Sequence, residues 1–274
     1  DGASVMMGKN SGVATLWVDF VQPFAVVMHC HAHRLNLGVG DATKNVPYVK
    51  EFEDIITQTY GVVARSANNK HDLQVFQRAV GEKRLEAKRL HKVRWLGFVR
   101  CVEQIYSCLE SWICLFSKIA AGQGAEAAPE EEDVPAQPEG LPSKTPTKKV
   151  ASSLLKTYLS YQFLMMTAYF RDVSGAVAQL CGLFQKEDLQ LDEIKPALDA
   201  AMSTLLDWYP SESAEGSPRV VNMEAKLHDG NFGDYTISGG GPQEKEGVKA
   251  MMFVHCCELV MALNQRFPQA TLIH

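Results

Sequence analysis

The stretch "MHCHAHRLNL", Met28 to Leu37, decides how the first part of this chain is read. It sets His29, Cys30, His31 and His33 within five residues. Upstream, "PFAVVMHC" (23–30) is short, apolar and β-rich, the pattern of a buried strand. Downstream, "RLNLGVGDATKN" predicts a helix starting where the strand ends, weakened by Gly38 and Gly40. If the strand ran on to His33, the three histidines would share one face, as three imidazoles around zinc require. No second cluster supplies a fourth ligand. His255, Cys256 and Cys257 are the one candidate, and they sit in an apolar helical pattern. The preferred reading is a strand-to-helix corner whose histidines hydrogen-bond locally. A lone strand is not stable by itself, so its sheet partners are expected upstream of Asp1 or in another chain.

Around this corner the chain is mostly helical. Val13, Leu16, Trp17 and Phe20 recur at helical spacing before Pro23. "VPYVKEFEDIITQTYGVVA" carries an i, i+3, i+4 stripe behind Pro47, and "KHDLQVFQRAV" a shorter one. "VRWLGFVRCVEQIYSCLESWICLFSKIAA" predicts one long helix with a wide apolar face. So does "VASSLLKTYLSYQFLMMTAYFRDVSGAVAQLCGLFQ". "QLDEIKPALDAAMSTLLDWY" predicts another, with Pro196 near its first turn, and "EKEGVKAMMFVHCCELVMALNQRF" a last one. Residues 122–149, rich in Pro, Glu, Gly and Ala, read as a disordered linker. Residues 210–245 read as a loop region with a short extended piece. Four segments result: 1–95 with a basic helical region at its end, 96–121 opening a helical domain, the linker 122–149, and 150–274. The expected class is mainly α with a small α/β part.

Composition bounds the function. The 274 residues are 46% hydrophobic and 22% charged, enough for a sizeable core. A net charge of −5 argues against a uniformly basic nucleic-acid binder and leaves room for a local basic patch. No apolar run reaches the roughly 18 residues that span a bilayer, so no membrane partner is expected. Seven cysteines without a CxxC pair fit reduced, buried thiols. Gly2 to Gly8 misses phosphate-loop spacing, "GGGP" at 239–242 lacks the flanking strand and helix, and no GxSxG elbow occurs.

The basic run "EKRLEAKRLHKVRWLGFVR" is the stronger signal. It holds Lys83, Arg84, Lys88, Arg89, Lys92, Arg94 and Arg100 against Glu82 and Glu86. On a helix, Arg84, Lys88 and Lys92 would form one cationic ridge, with Trp95 beside Arg94. Cations for phosphate and an aromatic for stacking suit single-stranded or distorted nucleic acid. The bland alternative is a solvated helix face beside a core tryptophan.

Three segments together resemble one family. "DGASVMMGKNSGV" (1–13), "HCHAHRLNL" (29–37) and "VRWL" (93–96) are similar, in order and spacing, to the hAT transposase superfamily. The likeness is nearest to vertebrate zinc-finger-linked proteins derived from such transposases, and "LFQKEDLQLDEIKPALDA" (183–200) resembles their helical region. The resemblance implies an RNase H-like core, here truncated, followed by an all-helical insertion domain. It implies that Asp1 matches the second acid of an Asp–Asp–Glu triad and so a Mg²⁺ ligand. Cys30 and His33 match a C/D-x-x-H motif near the catalytic site. Arg94 and Trp95 match an R-W motif whose tryptophan stabilises a flipped base. Two Mg²⁺ ions would serve an intact relative.

The departures matter as much. The first aspartate is expected upstream of Asp1, and no "CERxFS"-like segment brings the catalytic glutamate. One carboxylate cannot hold a two-metal site, so this chain is expected to carry no cofactor and not to cut or join DNA. The resulting expectation is a partial, inactive, nuclear transposase-like protein. Nucleic-acid binding would use Arg84, Lys88, Lys92, Arg94 and Trp95, and a longer form would be a homo-oligomer or associate with nuclear proteins. The rivals are an active transposase read in part, and a chromatin or SUMO-pathway scaffold without DNA contact.

Overall fold

The computed structural model describes residues 4–8, 10–24, 30–90, 95–122 and 148–268. Two short helices, α1 (Ser4–Met7) and α2 (Val13–Phe20), come first. α2 follows the predicted stripe, yet it buries none of its residues. The strand expected at 23–30 lies mostly outside the described residues; Pro23 and Phe24 form a turn.

The predicted corner becomes a helix one residue after Cys30. α3 (His31–Lys44) has Cys30 as its N-cap residue. This overturns the one-face arrangement of the histidines, because residues two apart on a helix point to different sides. α3 lies along α12 (Pro242–Arg266). The contact is close at Gly38, where an added Cβ would sit 3.4 Å from Arg266 Cγ and 3.5 Å from the Ala262 carbonyl. Asp41 then accepts hydrogen bonds from Arg266 Nε at 2.9 Å and from its Nη2. The glycine that lowers helix propensity thus lets two helices meet.

α4 (Pro47–Ala64) starts with Pro47 at its first turn, where a missing N–H is harmless. α5 (Ala67–Ala79) is capped by Ser66, whose Oγ accepts from the Asn69 amide at 3.1 Å. The two long helices predicted next are each broken. The first divides at Cys108 into α6 (Trp95–Ser107) and α7 (Leu109–Ala120). The second divides at Leu159–Ser160 into α8 (Lys148–Tyr158) and α9 (Tyr161–Leu183). There Ser160 caps α9 by accepting from Phe163 N, while the Leu159 carbonyl and Tyr161 amide pair with Ser238 at 2.7 and 2.9 Å. Apolar periodicity runs through both breaks, so it could not reveal them.

α9 is the centre of the molecule. Fifteen of its 23 residues are buried, the run from Phe163 to Phe170 without a gap, as expected of a helix apolar all round. α6, α10 (Leu191–Trp208), α11 (Pro218–Lys226) and α12 pack around it. Pro196 is the sixth residue of α10, just past the first turn. α11 lies within the expected loop region, followed by a hairpin of β1 (Asn231–Phe232) and β2 (Tyr235–Thr236). One continuous core extends from Leu35 to Phe267. Mainly α is therefore the observed class, and the only sheet among the described residues is this two-residue hairpin.

Candidate nucleic-acid interface

The basic run is not the helix its composition suggested. α5 ends at Gly81, which has φ +73, a left-handed conformation that glycine adopts without a Cβ penalty. Residues 82–90 then run without helix to the region before α6. Lys, Arg, Glu, Leu and Ala are all good helix formers, so tertiary contacts override propensity here.

Three sets of contacts hold the segment open. The Glu82 carboxylate reaches the start of α7, accepting from Glu110 N at 3.0 Å, Ser111 N at 3.2 Å and the Ser111 hydroxyl. It thereby satisfies amides that a helix N-terminus leaves unpaired. Burial raises the Glu82 carboxyl above the usual carboxylate range, with the Ser111 and Glu110 hydrogen bonds opposing that rise. Next, buried Gln77 donates from Nε2 to the Leu85 carbonyl at 2.9 Å, while its backbone carbonyl accepts from Glu82 N at 2.9 Å. Finally, two thiols donate to backbone carbonyls: Cys101 to Lys88 at 3.3 Å and Cys108 to Lys83 at 3.5 Å. Burial pushes both thiols up to about 11, so they remain protonated donors.

The side chains of this segment then sort by side. Leu85, Ala87 and Leu90 pack against the core, while Lys83, Arg84, Glu86 and Lys88 are exposed. Arg84, Glu86 and Lys88 are two apart, the spacing that shares a face in extended chain. Arg84 Nη2 is steadied by Gln74 Oε1 at 2.9 Å, and Glu86 is countered by Lys70 at 3.3 Å. With Glu82 turned inward, the surface is cationic. The Leu85 amide turns inward to the Cys108 sulfur, so what the edge presents outward is its exposed cationic side chains. Beside them lies a notch of about 220 Å³.

Most of the other expected site residues fall outside what the structure describes. Asp1, Lys92 and Arg94 lie outside the described residues, as does His29. Trp95 is the first residue of α6, and its side chain lies outside the description too. Cys30 is exposed at the start of α3. His33 is half-buried one turn into that helix. The expected orientation of His33 toward Asp1 therefore falls outside the described residues. His31 is the buried member: its ring stacks on Phe267 at 6.1 Å and tilts against Phe184 at 5.9 Å. It serves as a core aromatic. No group of three or more His, Cys, Asp or Glu among the described residues could hold a metal ion.

Two further clusters were not anticipated. Asp172, almost fully buried, accepts from the Arg219 amide at 2.8 Å and from the Arg219 guanidinium. It caps α11 from outside that helix, as Glu82 caps α7. Tyr161 donates to Glu224, which also accepts from Lys245 Nζ at 2.6 Å, tying α9, α11 and α12 together. Single acids at these positions carried no sequence signal, because their partners lie 47 and 63 residues away, at least as far as from Glu82 to α7. No family model matches this chain, and no solved structure matches it.

Proposed function

We propose that this chain is a transposase-derived nucleic-acid-binding protein. The observation that carries the reading is the exposed extended segment 82–90. It presents Lys83, Arg84 and Lys88 at the surface, and in sequence it leads to the R-W pair at Arg94 and Trp95. Phosphates are held by cations, and three project from this edge. Its three-point attachment to α5, α6 and α7 fixes the donors in place before any ligand arrives, which lowers the ordering cost of binding.

The ancestry in this reading, part of an RNase H-like core with a helical insertion domain, rests on the ordered motifs of the sequence. A nuclear location follows from the same ancestry. An intact relative would place Mg²⁺ between three carboxylates; Asp1 by itself cannot.

The test is a salt titration of a fluorescein-labelled 12-mer, single-stranded and duplex. Binding should weaken with salt, and the Lys83→Ala/Lys88→Ala pair should flatten the log–log slope by nearly two. No binding to either oligonucleotide at low salt would sink this function. A second reading, association with another protein, is favoured by α2. Trp17 and Phe20 on that helix are 54% and 80% exposed, and Phe24 just beyond is 90% exposed. An apolar patch of this kind marks interaction surfaces, and binding through it would be insensitive to salt.

A further inference from the structure

Beside the cationic edge lies the 220 Å³ notch, formed by Tyr60, Lys70, Gln74, Leu85, Glu86 and Ala87 among others. It is smaller than the roughly 300–1,000 Å³ that drug-sized ligands occupy. It suits a single planar ring system and excludes a base pair. Arg84, bonded to the Gln74 that lines it, and Lys88, next in the chain to Ala87 of its wall, are exposed beside it. A strand whose phosphates follow that edge would therefore bring a base to the notch.

The polar groups at the notch are specific in kind. The Lys70 ammonium and the Glu86 carboxylate stand side by side, 3.3 Å apart, and both are more than half exposed. They offer a donor next to a two-oxygen acceptor. The Gln74 carbonyl is occupied by Arg84, which leaves its NH₂ to donate. The notch thus needs a base edge with one acceptor beside two adjacent donors. Guanine has that edge: O6 accepts, and N1–H and N2–H₂ donate side by side. Adenine and cytosine each pair one amino donor with a ring acceptor, and thymine has a single N–H between two carbonyls. Unpaired bases are read by such edges when they leave the stack.

We infer that the notch between α4, α5 and segment 82–90 is a binding site for one unpaired guanine, seated by Glu86 and Lys70, in a single strand whose phosphates lie along the cationic edge. This rests on the nucleic-acid reading and sharpens it from a charged surface to a base-selective one. In sequence, the R-W pair comes after the end of this segment.

The experiment compares the full chain binding labelled dT12 with the same 12-mer carrying one central dG, dA or dC. The dG oligonucleotide should bind about tenfold tighter, in line with a bidentate contact to one base. Glu86→Gln should bring its affinity to within twofold of dT12. That change removes a negative charge, so a purely electrostatic surface would instead bind every oligonucleotide more tightly. Lys83→Ala/Lys88→Ala should weaken all four while keeping the preference. Because Glu86 is exposed, its replacement leaves the fold intact, which far-ultraviolet circular dichroism will verify. Equal affinity for dT12 and the dG oligonucleotide overturns the guanine site while leaving the cationic edge standing. A preference that survives Glu86→Gln also overturns it. Absence of all binding at low salt overturns both readings together.

Discussion

His31 and His255 show how little residue type says without its surroundings. Both belong to histidine–cysteine clusters, and both are buried in apolar packing. His255 lies in α12, where its Nδ1 pairs with the Tyr169 hydroxyl at 2.7 Å and its ring meets Tyr169 and Phe170 edge-on. Burial holds its pKa down to about 4, below the ordinary 6.5. The unfolded chain therefore binds a proton that the folded chain refuses. The contribution to stability is fully present above pH 6.5 and is lost as pH falls through the window down to about 4. The full loss amounts to about 3 kcal/mol. Denaturant unfolding at pH 7, 5.5 and 4 should show this fall. In His255→Gln, which keeps an acceptor for Tyr169 and cannot ionise, the fall between pH 6.5 and 4 should be shallower. An unchanged slope would assign the acid sensitivity to other groups. Asp172 makes the complementary point. Asp172→Ala strips α11 of its cap and the Arg219 guanidinium of its partner, and should lower stability by about 1–3 kcal/mol.

At the scale of elements, the strongly periodic helices were legible, while α11, read as loop, the absence of helix over the basic run, and the points of helix termination were not. The stripes of α2, α4, α5, α10 and α12 predicted those helices because 3.6-residue periodicity is a local property. Breaks at Cys108 and Ser160, and the opening of residues 82–90, depend on partners far along the chain. Glu82 binds α7 28 and 29 residues away, and Ser160 bridges to Ser238. The basic residues of the candidate site were thus found by composition, while their display on an extended edge was not. Only Gly81 hinted at it, as a residue suited to closing α5. Its φ of +73 makes a prediction. Gly81→Ala should destabilise by about 1 kcal/mol from strain alone, since nothing lies within 4 Å of the new Cβ. Gly61 and Gly182 are helical, with equally open surroundings. Alanine there should stabilise by about 0.5–1 kcal/mol. Thermal melts of the three variants should therefore move in opposite directions, and a common direction would contradict the assigned backbone at Gly81.

Across the whole molecule, one packing knot connects the elements that carry the interface. Phe52 of α4 touches Phe98 of α6 at 6.1 Å, and Phe163 and Phe170 of α9 at 5.5 and 4.7 Å between ring centres. It is fully buried. Segment 82–90 lies against α5, α6 and α7, so its geometry is inherited from this core. Phe52→Ala should cost about 3–5 kcal/mol through lost burial and the cavity left behind. More informative is how the loss is distributed. Because the core is continuous from Leu35 to Phe267, unfolding should be one transition. Trp112, fully buried in α7, reports tertiary packing through its fluorescence once Trp17, Trp95 and Trp208 are replaced by Phe, and circular dichroism at 222 nm reports helix content. The two curves should coincide in this single-tryptophan protein and shift together when Phe52→Ala is added. A tryptophan transition that precedes the loss of helix would mean that α7 and the cationic edge can loosen while α9 and α12 stay folded. Salt-dependent binding should then disappear at the earlier midpoint.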